Sequence, residues 1–136
     1  MEWALLRLLL FGMALTLAGC SKCVIEPFGS SVSPSGAMIL QLERQNCGAT
    51  TGFLYKVVAY EKGDTDGTMI LEFDGHHGRF GWPSPWEDHK LLNMKWLGSS
   101  QVQILMNYPA RVYYDRKAVD DVAVRVAYKP GTTRGE

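Results

Sequence analysis

In a series of short runs between residues 37 and 128 the apolar side chains recur at every second position, and nowhere do they sustain the three-and-four spacing of a helix, a regularity that restricts these runs to β structure. The segment AMILQLER, residues 37–44, places Met38, Leu40 and Leu42 on one face and Gln41 and Glu43 on the other. Similar runs, rich in β-branched and aromatic residues, fill 53–61, 68–73, 90–97, 101–106, 111–115 and 122–128. In 68–73 the alternation turns Met69, Leu71 and Phe73 inward and Ile70 and Glu72 outward. Between the runs stand Ser33-Pro34-Ser35-Gly36, Asn46-Cys47-Gly48, Gly63-Asp64-Thr65-Asp66-Gly67 and Gly98-Ser99-Ser100, all with turn chemistry. Six or seven short strands at such spacing predict an all-β fold, a small antiparallel β-sandwich or barrel. Residues 74–89 follow neither period and hold three glycines, two prolines and two tryptophans, which marks a long loop.

The start of the chain has a different grammar. Leu8 to Leu17 reads LLLFGMALTL, preceded by Arg7 and closed by the small residues Ala18 and Gly19. Arg7 interrupts the apolar stretch, which falls short of the roughly 20 uninterrupted residues a spanning helix requires. Residues 1–19 are therefore expected to be an export signal. The remainder suffices for one domain: 20–35 as tether, 36–130 as β domain and 131–136 as disordered tail.

Leu17-Ala18-Gly19-Cys20 resembles the lipobox of bacterial lipoproteins. That resemblance implies a Cys20 acylated on its thiol, cleavage just before it, and a mature protein held on a lipid bilayer by two or three acyl chains. At about 0.8 kcal/mol per buried methylene, two or more chains anchor a protein stably. In a host with two membranes, Ser21 after the cysteine resembles lipoproteins sent to the outer membrane, facing the periplasm. Export also implies an oxidising compartment, and lipidation of Cys20 leaves Cys23 and Cys47 as an even pair, expected to be bridged. Closing a loop of about 25 residues is worth roughly 3.5 kcal/mol in the chain-entropy account. The bridge would shorten the tether to Ser21 and Lys22.

A second resemblance covers most of the exported part. Ser33-Pro34-Ser35-Gly36 and Cys47-Gly48-Ala49-Thr50-Thr51-Gly52-Phe53 resemble the SPDG-like turn and CGATTGF-like segment of a group of small, uncharacterised exported bacterial proteins. It continues more loosely through Asp74-Gly75-His76-His77-Gly78, Asn93-Met94-Lys95-Trp96-Leu97 and Ala110-Arg111-Val112. It implies a β-rich exported protein and no particular activity. Ser35 stands where that group's pattern has aspartate.

The chemistry-bearing residues gather in the long loop. His76, His77 and His89, with Asp74, Glu87 and Asp88, form the one histidine-rich constellation. Imidazole and carboxylate are the usual ligands of zinc and related ions. In an extended segment His76 and His77 point to opposite faces, so a strand-end turn with solvated histidines is the expectation and a metal site the alternative. Trp82 and Trp86 sit in GWPSPW, where prolines stiffen the backbone; they either plug one end of the β core, the favoured expectation, or offer rigid aromatic surface to a protein or glycan.

Lysine plus arginine number 14 against 14 aspartate plus glutamate, with Arg7 and Glu2 cancelling within the leader, so no basic footprint points to nucleic acid. The exported part contains no G-x-S-x-G, H-E-x-x-H or Gly-rich phosphate loop, and the C-x-x-C of Cys20 and Cys23 has its first thiol claimed by the lipobox. The expectation is a membrane-anchored envelope lipoprotein without cofactor or enzymatic activity. It would bind or scaffold another envelope component, with residues 74–89 as the contact. The alternatives are a ligand- or metal-binding β domain using the same loop, and a hydrolase working through an unrecognised carboxylate pair.

Overall fold

The computed structural model describes residues 22–48, 52–75 and 90–136. Residues 1–21, with Cys20, and residues 76–89, with the candidate residues His76, His77, Trp82, Trp86 and His89, lie outside them, as do residues 49–51. The described residues form ten strands: β1 (Val24–Val32), β2 (Met38–Asn46), β3 (Leu54–Glu61), β4 (Thr68–Asp74), β5 (Leu92–Trp96), β6 (Gln101–Met106), β7 (Arg111–Asp115), β8 (Ala118–Val119), β9 (Val122–Ala127) and β10 (Thr133–Arg134).

The strands assemble into two sheets, one of six in the order β1-β2-β3-β4-β7-β10 and one of four in the order β5-β6-β9-β8. Their inward faces share one core. Leu40, Leu42, Val57, Leu71, Phe73 and Val112 from the larger sheet meet Leu92, Val102, Ile104, Met106 and Val124 from the smaller, each nearly excluded from water. This is an all-β, sandwich-like architecture with no closed barrel, and the two-residue alternation is what gives each sheet one apolar face. The pairing is mainly antiparallel, but β6 with β9 and β7 with β10 run parallel.

Three details depart from the alternation. Residues 24–32, inside the stretch expected to be a tether, form the edge strand β1, paired with β2 from Val24↔Asn46 to Val32↔Ile39. Its side chains are mostly exposed on both faces and a bulge at Phe28 shifts its register, so it carries no two-residue apolar signal. Residues 133–134, inside the expected tail, add β10 beside β7 for the same reason: both side chains are exposed. Ile70, expected to face outward, is fully buried, because a bulge in β4 lets Val57 pair Leu71 while Val58 pairs Met69 and turns the extra residue into the core.

The register also gives the sandwich two distinct ends. Val24↔Asn46, Leu54↔Asp74, Asp74↔Arg111 and Arg111↔Thr133 lie at one end of the large sheet. Leu92↔Met106 lies at the same end of the small sheet, since Met106 leads directly into β7 and the Asn107 amide donates to the Leu91 carbonyl at 2.9 Å. The opposite end holds the turns at 33–37, 62–67, 97–100 and 120–121.

Candidate functional site

The end that bears Cys23 and Cys47 is built to hold β1 down. The two cysteines are bridged, 24 residues apart in sequence, Cys23 just before β1 and Cys47 just after β2. Next along the ladder, Glu26 faces Arg44, whose Nε donates to Glu26 Oε2 at 3.1 Å. The Arg44 guanidinium is largely buried and stacks between two rings, 4.3 Å from the Phe28 centroid and 4.6 Å from that of Phe53. Such stacking suits a planar, weakly hydrated cation. Two residues of the CGATTGF segment thus act as clamps: Cys47 bonds β1 covalently and Phe53 covers the arginine that pairs with it.

At the same end Asp74 closes β4, and Arg111 opens β7 directly opposite. Arg111 donates to both carboxylate oxygens, Nη2 to Oδ2 at 2.8 Å and Nε to Oδ1 at 3.3 Å, while the Tyr113 hydroxyl donates to Oδ2 at 2.6 Å. The hydrogen bond and charge of Asp74 raise the Arg111 pKa, and burial followed by the bond to Asp74 raises that of Tyr113. Asp74 belongs to the constellation on which the alternative reading, a metal site, would draw. Its carboxylate is instead committed to a guanidinium and a phenol that lock β4 to β7 at the root of residues 76–89. Gly75 and Lys90, which flank that segment, both belong to this end. Among the described residues no group of three or more His, Cys, Asp or Glu is placed to hold a metal ion.

The opposite end is acidic. Glu61, Asp64, Asp66, Asp120 and Asp121 gather there with Lys62, around a groove of about 510 Å³ and a smaller hollow of about 140 Å³. Asp120 sits at φ 47° in the two-residue turn from β8 to β9, where a tight hairpin requires positive φ. A hydrogen bond with Asp120 raises the Glu61 pKa.

Two further carboxylates hold strands together. Asp115 Oδ2 accepts from the Tyr128 hydroxyl at 2.7 Å, from Lys117 Nζ at 3.0 Å and from Arg134 Nη2 at 3.2 Å. Arg134 pulls the Asp115 pKa far below the usual carboxylate range, and burial together with Asp115 pushes Tyr128 well above an ordinary phenol. These bonds fasten the segment after β9 and strand β10 onto β7. Glu43, buried on the outer face of the large sheet, accepts from Tyr60 at 2.6 Å and Gln41 at 3.0 Å, and the bond to Glu43 raises the Tyr60 pKa to about 12.

Of the residues singled out in the sequence, Cys23 and Cys47 are brought together, Asp74 is placed at the disulfide end, and Cys20, His76, His77, His89, Trp82 and Trp86 lie outside the described residues. Arg44 and Asp115 carry no motif, and Arg111 stands only in the loosely matching Ala110-Arg111-Val112. Their pairing comes from register across strands, and only the positions of Arg44 and Arg111 at strand ends hinted at it. Comparison with protein families, curated proteins and solved structures gave no significant match.

Proposed function

We propose that this chain is a lipid-anchored envelope protein whose β-sandwich binds or scaffolds another envelope component without catalysing a reaction. The observation that supports it most is the disulfide from Cys23 to Cys47. It ties down the chain three residues after the lipobox cysteine, so only Ser21 and Lys22 separate an acylated Cys20 from a covalently closed body. A domain meant to range far above a membrane would keep a longer free leash.

The expected contact, residues 74–89, begins with Asp74 and Gly75 and leads into Lys90, all at the disulfide end. The committed carboxylate of Asp74 weighs against the metal-binding alternative.

The test is photocrosslinking in intact cells of the exporting host, from a probe replacing Trp82 and, separately, from one replacing Asp66 at the opposite end. One protein or glycan species captured reproducibly from Trp82 is expected. Capture of lipid alone from both positions would contradict a binding role.

A further inference from the structure

We infer that the corner of the sandwich formed by Lys22, Val24 and Ile25 seats on the bilayer surface, fixing the domain in one orientation instead of leaving it to swing from its acyl chains. The inference rests on the lipid anchoring proposed above and adds to it a protein surface that touches lipid.

Three observations converge on that corner. Val24 and Ile25 are consecutive, point to opposite faces of an edge strand, and are 56% and 58% exposed, the highest values among the exposed large hydrophobic side chains of the described residues. Neither belongs to the buried core formed by the described residues. They begin one residue after Cys23, whose bond to Cys47 prevents β1 from peeling away, so an acylated Cys20 would hold them within a few residues' reach of the headgroups.

Charge points the same way. Lys22 and Lys129 are exposed at the disulfide end, where the carboxylates of Glu26 and Asp74 are already matched by Arg44 and Arg111. Among the described residues, five carboxylates stand with Lys62 around the two hollows of the far end. Near an anionic leaflet, this asymmetry turns the cationic end toward the lipid and the acidic end away from it. Aliphatic side chains flanked by lysine are the composition that settles about 5–10 Å into the boundary between headgroups and acyl chains.

The experiment uses the full chain, processed and acylated by its host, with valine and isoleucine methyl groups labelled, in nanodiscs of phosphatidylethanolamine and phosphatidylglycerol. A nitroxide lipid carries the spin label just below the headgroup. Broadening of the Val24 and Ile25 methyl signals severalfold beyond that of Val32, which is equally exposed at the other end of β1, is expected. A Val24→Glu/Ile25→Glu double variant should keep its acyl chains and cofractionate with the discs. It should lose the difference in broadening between the two ends, read at the Lys22 and Val32 amides. Equal, weak broadening at Val24, Ile25 and Val32 in protein that does cofractionate with the discs would overturn the seating while leaving the anchor intact. Protein that carries no acyl chain and stays out of the discs would overturn the anchoring itself.

Discussion

Cys23 is bonded to Cys47 at the end of the sandwich where β1 begins, so the edge strand that the chain enters first is also the one it holds covalently. β1 has little apolar surface of its own in the core, and Phe28, Arg44 and the bridge supply what hydrophobic alternation does not. Opening the bridge, by a reductant or by Cys23→Ser with Cys47→Ser, should therefore lower the unfolding free energy by about 2–4 kcal/mol. Hydrogen exchange should quicken at β1 amides far more than at β3 or β6. Uniform quickening would show that the bridge supports the whole body and not this strand.

Arg111 holds Asp74 with two hydrogen bonds where β4 and β7 meet. Arg111→Lys keeps the charge and loses the planar fork, so it should lower stability, and Arg111→Ala, which removes the charge as well, should lower it further. Urea denaturation of the two variants would measure both. Identical losses would mean that the fork geometry contributes nothing.

Asp115 gives the fold a dependence on acid. Its folded pKa is depressed, so the stability it contributes is present above the unfolded carboxylate value of about 4 and is lost as pH falls below it. Asp115→Asn should cost about 1–2 kcal/mol at neutral pH, a figure held down by the exposure of Lys117 and Arg134. Melting temperatures taken from pH 7 down to pH 3 should show the gap between variant and native protein narrowing. A constant gap would rule out Asp115 as the source of the acid limb.

Gly67 precedes β4 with the side chains of Val58 and Tyr60 directly above its α-carbon; a Cβ would lie 2.6 Å from Tyr60 Cε1 and closer still to Val58 Cγ1. Val58 is buried and has little room to yield. Gly67→Ala should therefore destabilise by about 1–3 kcal/mol, as overpacking does, although alanine is ordinarily harmless in a turn. Gly63→Ala provides the comparison: space is open there but φ is +84°, so its cost is one of backbone strain alone. Thermal melts that leave Gly67→Ala unchanged would show that Tyr60 and Val58 move aside freely.

The seven alternating runs were legible because each buries one face: β2, β6 and β9 keep the two-residue rhythm almost without fault. Bulges and edges were not. Ile70 turns inward only because β4 has one residue more than its partner strand across that span, and no pattern within β4 announces it. β1 and β10 satisfy their backbones by pairing with a neighbour while leaving most side chains in water, so composition alone resembled a tether and a tail. The bridge was legible from cysteine arithmetic. The three ionic clamps were not, since Arg44, Arg111 and Arg134 find their carboxylates only through a register that sequence does not reveal.

The account stands on the chemical state of one sulfur. Mass spectrometry of the N-terminal peptide of protein purified from the membranes of its exporting host reads that state directly. The predicted result is a peptide that begins at Cys20, with residues 1–19 gone and two or three acyl chains added. A peptide that retains residues from the leader, or one that begins at an unmodified Cys20, would contradict it.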